Sequence, residues 1–327
     1  MPAPQQPKKR RKRRGLFSRL LSTLLVIAVL LFSIYSFVAL RCIHKLDYVE
    51  TGARHQQSST LLQADSVRNV LLIGTDSRDA TRGRSDSMIL VSLNKKTNQI
   101  VLSSFMRDMY VAIPGHGNNK LNAAYSFGGA ELLLDTLEDN FNIRIDDYVQ
   151  VNFSSFAHIV DAVGGVEITI TDKEAQAINQ ILHDEVNGLM GDPIDSDYLA
   201  SGGTYVLNGK QALSYSRIRH VGNADFQRTQ RQRDVITKMV QNMKGAGVSG
   251  VRTIMKEALP EMKTNMQTGE LYWLSLRLPF LLGYDMQQQQ IPAPNTYTGQ
   301  SNEAGAVLAV DFAANRTLLQ TTIYRET

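Results

Sequence analysis

The run from Leu20 to Leu40 holds 21 residues and no charge, which is long enough to cross a hydrocarbon core as a helix. It constrains the rest of the chain, because whatever lies on its two sides must fold apart. Its polar members, Ser22, Thr23, Ser33, Tyr35 and Ser36, are mild. Directly before it, residues 1–19 contain Lys8, Lys9, Arg10, Arg11, Lys12, Arg13, Arg14 and Arg19 and no acid. Basic flanks stay in the cytoplasm. The expected organisation is therefore a basic cytoplasmic tail (1–19), a transmembrane helix (20–40), an extracellular stalk (41–65) and one extracellular domain (66–327). A cleaved signal peptide would need a small-x-small site, which Val38-Ala39-Leu40-Arg41 does not supply well. Beside an apolar span the basic run reads as a topology determinant attracted to anionic lipid, and no nucleic-acid partner is expected.

Setting the eight tail cations apart from the overall charge of +4 leaves residues 20–327 at −4. The large folded part is thus mildly acidic. Cys42 is the only cysteine, so no intrachain disulfide can form and the exterior domain depends on core burial. That usage fits a bacterial surface better than a secreted eukaryotic protein.

Beyond the stalk the pattern alternates. Val67–Ile73, Met88–Leu93 and Ile100–Ser104 read as strands, the last two joined by the turn-rich Asn94-Lys95-Lys96-Thr97-Asn98. Ala130–Phe141 spaces its apolar residues helically, Tyr148–Asn152 reads as a strand, Phe153–Val163 as a helix ending at Gly164-Gly165, and Val166–Ile170 as a strand. Arg228–Lys244 reads as a long helix. After it come a helical stretch (Val251–Met262), an amphipathic stretch (Leu271–Leu282), a loop at Gln288–Gln290, a strand near Gln290–Ala293 and a closing helix (Asn302–Arg316). The expected fold is α/β: a three-layer α/β/α domain around a central, mostly mixed sheet, carried on one N-terminal transmembrane helix.

Against the acidic background arginine is concentrated in three stretches. Gly74-Thr75-Asp76-Ser77-Arg78 leads to Arg84-Ser85-Asp86-Ser87, so Asp76 and Asp86 flank a loop between two strands. A hard divalent cation takes few carboxylates and otherwise water and phosphate oxygens, and Arg84 stands between the two to share a phosphate. Met106-Arg107-Asp108 follows a strand end, where ligands of open α/β sheets bind. Lys120 follows a loop with Gly115 and Gly117. The third stretch is Ser216-Arg217-Ile218-Arg219-His220, with Arg217 and Arg219 on one face of an extended segment. Arg228, Arg231 and Gln232 then open a helix, 228 and 232 sharing a face at i, i+4. Planar guanidinium forks suit phosphate oxygens, and a pyrophosphate is the polyanion such groups would hold. Each stretch also has a plainer reading as local Arg–Asp pairing, though Asp225 and Asp234 cannot satisfy all the arginines of the third. No Gly-x-Ser-x-Gly, Cys/His or Walker-type arrangement occurs.

These motifs resemble the LytR-CpsA-Psr family, the cell-wall phosphotransferases of Gram-positive and related bacteria. The resemblance is carried by Asn69-Val-Leu-Leu-Ile-Gly-Thr-Asp76, Arg84-Ser-Asp-Ser-Met88, Ser104-Phe-Met-Arg-Asp108 and Lys120-Leu-Asn-Ala-Ala-Tyr125. It continues through Tyr148–Phe153, Val163–Glu167, Gly209–Leu213, Ser216–His220 and Asp225–Gln232, spanning residues 67–240 in the family's order. Met106 departs from the more usual proline, and the loop from Asp76 to Asp86 is short.

The resemblance implies transfer of a polyprenyl-pyrophosphate-linked glycopolymer (teichoic acid, capsule or a related polysaccharide) to a peptidoglycan acceptor, by metal-assisted phosphoryl transfer. It implies Asp76 and Asp86 as ligands of Mg²⁺ (or Mn²⁺). Arg84, Arg107, Arg217, Arg219 and Arg228, with Lys120 and Gln232, would grip the pyrophosphate; Arg231 is included with them, and Asp108 is a candidate to orient Arg107 or take a proton. The implied place is the cell membrane of a Gram-positive-type bacterium, with a single pass. Two other readings stand beside it: a non-catalytic module that binds the pyrophospho-lipid or its glycan, and a membrane-associated transcription regulator.

Overall fold

A strand buried on both faces, Val67–Thr75, is the central strand of the main sheet's seven. The computed structural model describes residues 29–30, 32–33, 35–50, 61–75, 85–222, 224–243, 245 and 253–325. The chain divides into two units, Met1–Arg41 and Cys42–Thr327. In the first, what is described is helical and apolar, with Val29, Leu30, Phe32 and Phe37 exposed. Among the described residues no helix is long and apolar enough to cross a membrane, and 11 of the 21 residues of the expected span, 20–40, lie outside them.

In the second unit the strands are β1 (Asp47–Tyr48), β2 (Val67–Thr75), β3 (Ser85–Asn94), β4 (Gln99–Phe105), β5 (Tyr110–Ile113), β6 (Gly117–Lys120), β7 (Asp147–Val151), β8 (Val166–Ile170), β9 (Gly203–Leu207), β10 (Lys263–Thr264), β11 (Asp285–Ile291), β12 (Tyr297–Asn302) and β13 (Gly305–Val310). The main helices are α1 (Leu121–Phe141), α2 (Phe153–Ala162), α3 (Asp172–Ile181), α4 (Gly209–Arg217), α5 (Ala224–Met243), α6 (Thr268–Leu281) and α7 (Phe312–Ile323). The main sheet runs β1-β10-β7-β2-β3-β4-β11. It is mixed: β2 pairs parallel with β7 and antiparallel with β3, and β4 pairs antiparallel with β3 and parallel with β11.

Side chains alternate along a strand, and here both faces are covered. Leu71, Ile73, Met88 and Leu90 pack with Leu133, Leu137, Phe141 and Leu319 of α1 and α7. The opposite face presents Leu72, Ile89, Ile100 and Leu102 to Ile236 of α5. A second core, built on Val160, Ile178, Leu182, Leu213 and Val235, joins α2, α3, α4 and α5 above that face. Asn152, Thr171 and Asn208 cap α2, α3 and α4, the last two in full capping boxes with Glu174 and Gln211. Gly209 is where α4 meets α2: a Cβ there would lie 2.2 Å from the Ala157 carbonyl oxygen, so only glycine permits the approach.

Several sequence expectations change. The glutamine loop and the strand near Gln290–Ala293 are one edge strand, β11, whose Gln288 bonds Thr237 at 2.7 Å and Gln289 bonds Ser103 at 2.8 Å. Polar alternation hid it, because an edge strand carries amides without cost. The closing helix starts later: Asn302 and Gly305 turn the β12–β13 hairpin, and Asp311 caps α7 through the Ala314 amide. Helix α1 begins at Leu121 rather than Ala130, with non-helical backbone at Gly128 and Gly129 between its two parts. The expected stalk contributes β1 to the sheet edge and a bridge from Leu62 to Ile143.

Candidate functional site

A cavity of about 690 Å³ lies between the β7-β2-β3 face of the sheet and helices α2–α5, a volume usual for small-ligand sites. Its walls grade from charged to apolar. Helix α5 lines it with Arg228, Gln232, Ile236 and Met239, one stripe at helical spacing whose polar half leads. The sheet repeats the gradient, with Gly74, Asp86 and Ser87 at one end and Leu72, Ile89 and Val149 deeper. Phe153, Phe156, Ile159, Ala177, Ile181 and Leu213 complete the apolar part.

Asp86 organises the charged end. Its Oδ1 accepts from Arg107 Nη1 at 2.7 Å, its Oδ2 from Arg219 Nη2 at 3.1 Å, and its backbone carbonyl from Arg228 Nη2 at 3.4 Å. Burial works against this carboxylate, yet Arg107, Arg219 and Arg228 hold its pKa below the ordinary 3.8. Behind it Arg107 Nε donates to Asp225 Oδ2 at 3.2 Å and lies 3.5 Å from Asp108. Lys120 Nζ donates to Asp108 Oδ1 at 2.9 Å. Burial raises the Asp108 pKa, but Lys120 and Arg107 more than offset it and hold it below the ordinary value. Arg107 is thus hydrogen-bonded to Asp86 and Asp225, with Asp108 beside it and itself tied to Lys120.

Arg228 is 2% exposed. Its Nη1 lies 3.2 Å from Asp225, but neither Nε nor Nη1 has a hydrogen-bond partner among the described residues. Burial, then the neighbouring charges of Arg107 and Arg219, pull its pKa down to about 10 against the pull of Asp225 and Asp86. Here is a buried cation beside other cations with donors to spare, which an incoming anion would relieve. Gln232 lies alongside, its Oε1 accepting from Ser87 Oγ at 2.9 Å and its Nε2 3.4 Å from the Ser216 carbonyl.

The remaining expected residues are placed differently. Arg217 ends α4 rather than lying on an extended segment with Arg219. It pairs with Glu185 and stacks 4.2 Å over the Phe153 ring, on the cavity wall. Its Nε has no partner among the described residues. Arg231 is not brought to the cavity. Its guanidinium bonds Glu174 at 3.0 Å and the carbonyls of Ile218 and Val221 at 3.3 and 3.0 Å. At i+3 from Arg228 it sits on the neighbouring face of α5, and what it does there is hold the segment that carries Arg219. Arg107 and Lys120 stand behind Asp86 rather than on the cavity wall. Arg84 and Asp76 lie outside the described residues. Glu185 and Phe153, which the sequence reading left out, are brought to Arg217 only by tertiary packing.

One of the two expected metal ligands can be assessed. Asp86 is ionised and lines the cavity, which suits a cation that takes one or two carboxylates plus phosphate oxygens. Each of its oxygens is engaged by a guanidinium, so a cation would share or replace those contacts. Among the described residues no three His, Cys, Asp or Glu side chains cluster as a ligand set.

Fold and site together define an α/β protein with a cavity for an amphiphile, anionic at one end and apolar along its length. The family model described as the LytR_cpsA_psr family matches residues 39–317, and the chain belongs to that family. It is 36% identical over 246 residues to a polyisoprenyl-teichoic acid–peptidoglycan teichoic acid transferase, TagU, of Enterococcus faecalis, covering 73% of this chain and 75% of that one. It is also 36% identical over 230 residues to biofilm regulatory protein A of Streptococcus mutans, where the match covers 66% of this chain and 53% of the relative. Among solved structures, TagT bound to LI-WTA superposes with a TM-score of 0.67 at 26% identity, over 85% of this chain and all of that one. A LytR-CPS2A-psr family protein, YwtF (TagT), with bound octaprenyl pyrophosphate lipid gives a TM-score of 0.63 at 25% identity, over 85% of this chain and 100% of that chain.

Proposed function

We propose that the protein transfers a polyprenyl-pyrophosphate-linked glycopolymer, a teichoic acid or related polysaccharide, to a peptidoglycan acceptor. The observation that carries this reading is Arg228, a buried guanidinium with unused donors where a long apolar cavity begins. The names of the relatives supply the chemistry at that junction: a teichoic acid transferase, and a structure holding a prenyl pyrophosphate.

In this reading the prenyl tail lies along Leu72, Ile89, Phe156, Ile236 and Met239. Arg219, Arg228 and the Gln232 amide hold the pyrophosphate, with Arg217 at its side. Transfer forms a bond from an acceptor hydroxyl oxygen to the glycan-side phosphorus. It breaks the bridging P–O bond, whose electron pair leaves with the prenyl phosphate, and the hydroxyl proton passes to solvent. The chain's part is to position the diphosphate and offset the charge that builds on the leaving phosphate, with no covalent intermediate. Asp86 holds Arg219 and Arg107 in register, and Asp108 with Lys120 fixes Arg107 from behind. Mg²⁺ belongs to the same reading, held by Asp86 together with Asp76, and when bound it would neutralise phosphate oxygens. The protein is placed in the cell membrane by residues 20–40, with its catalytic domain outside.

The test is incubation of the full chain with a lipid-linked glycopolymer and peptidoglycan, with Mg²⁺ and with a chelator. Glycan covalently joined to peptidoglycan is expected, and loss of that product with the chelator would support the cation. Lipid retained without transfer at any Mg²⁺ or Mn²⁺ level would make the protein a binder instead.

A further inference from the structure

Helix α6 is apolar around most of its circumference, yet none of its described side chains is fully buried. Trp273 is 62% exposed and Phe280 75% exposed, and Arg277 between them is exposed as well. Positions 273, 277 and 280 follow one another at i, i+4 and i+7, so they form one stripe. A helix apolar on most sides needs protein or lipid against it, and the 14 residues of α6 are too few to span a bilayer. A large indole and a phenyl ring flanking a single guanidinium suit the interface, rings at the acyl boundary and charge among the headgroup phosphates.

The chain itself indicates what covers this face. The expected span ends at Leu40, and Asp47–Tyr48 pairs in parallel with Lys263–Thr264. Seven extended residues reach at most about 25 Å, so with Leu40 at the membrane surface the chain would let β1 and its neighbour β10 lie no farther than that from it. Helix α6 starts four residues after Thr264. The Asp47 amide donates to the Met262 carbonyl at 3.2 Å, and Met262 lines the apolar cavity. Tether, cavity wall and the start of the exposed helix therefore meet beside β10, and the helix leads from there to β11 at the far edge of the sheet.

We propose that the Trp273–Arg277–Phe280 face of α6 docks on the lipid bilayer surface and holds the Met262 side of the cavity against the membrane, so that a prenyl tail enters without crossing water. The proposal rests on residues 20–40 being a membrane anchor. It goes beyond the transfer reaction by assigning a second, peripheral contact with lipid.

Trp273 is the only tryptophan of the chain, so its fluorescence reports this surface alone. The full chain is reconstituted into phosphatidylglycerol vesicles with bromine high on the acyl chains. Quenching with a blue shift relative to detergent is expected. A chain that floats with the vesicles but keeps unquenched, red-shifted emission overturns docking while leaving the anchor intact. A chain that does not float with them removes the anchor and the docking together. A second arm uses Phe280→Ser and Arg277→Glu, both at exposed positions. Each is expected to slow transfer from a vesicle-borne donor by about tenfold, as loss of an interfacial anchor should, and to leave a short-chain, water-soluble donor unaffected. Equal effects on both donors would overturn the proposal.

Discussion

Strands β2 and β7 carry a charge cluster at each end, and the two clusters behave differently. At the carboxyl end, Asp86, Arg219 and Arg228 line the cavity with Arg107 and Asp225 behind them, and guanidinium donors are left over. At the amino end, Arg68 bonds Asp147 at 2.6 Å and lies 3.4 Å from Glu270, while Arg144 lies 3.0 Å from Asp146. Asn69 ties that end together through the Arg144 carbonyl and the Tyr324 hydroxyl. There carboxylates outnumber the cations they face, and burial, with Glu270 and Asp146 nearby, raises the Asp147 pKa although Arg68 opposes it. Net charge and burial alone do not make an anion site. Arg144 Nε also lacks a hydrogen-bond partner among the described residues, so a spare donor alone does not make one either; the carboxyl end adds an apolar cavity that can hold the rest of the ligand.

The sharpest way to break this contrast is Arg228→Ala. Transfer should fall by more than about 100-fold, the scale for losing a donor to developing charge, while thermal unfolding stays near that of the parent, because a costly buried charge has gone. Full activity, measured as glycan joined to peptidoglycan, would show that the spare donors are not the site. Arg231→Ala tests a residue at the cavity end whose donors are committed. It strands Glu174 and frees the Ile218–Val221 segment, so denaturant unfolding should show a loss of about 3 kcal/mol, with slower transfer through misplacement of Arg219. Arg68→Ala, at the far end, should cost about 2 kcal/mol, being partly exposed, and leave transfer by the folded protein unchanged. A large activity loss there would mean the two ends are coupled.

The smallest effect is on the pH dependence of stability. The pKa of Asp86 is lowered in the fold, so its contribution is present above 3.8 and is lost as pH falls below 3.8 through its folded value. Asp147 is shifted the other way: between its raised value and 3.8 the native state binds the extra proton, so acidification through that window favours folding. Urea titrations across this range should give the Asp86→Asn variant a shallower acid loss than the parent, and the Asp147→Asn variant a missing gain above 3.8. The same slope in both variants would equalise the two clusters.

Much of the site was legible in linear order. Arg228 and Gln232 share a face because i, i+4 spacing does so on any helix, and Asp86 and Arg107 stand at strand ends that the apolar runs announce. The chain did not reveal which arginines are spent. Arg231 differs from Arg228 by three positions, and only the packing of α3 brings Glu174 to it. Arg217 and Arg219 were expected side by side, but α4 continues through Arg217 and sends it to Glu185 and Phe153. Edge strand β11 was missed because its glutamines carry no apolar alternation, and α6 was read as amphipathic although its apolar residues surround it.

By itself, then, the sequence determined the alternation of strands and helices, the clustering of arginine against an acidic background, and the family. These follow from local periodicity and residue type, which need no neighbours. Tertiary structure decided which charges are paired and which donors are free, and that the polar half of α5 leads into an apolar cavity. Hydrogen-bond satisfaction is a property of groups distant in sequence that folding brings within about 3 Å of each other.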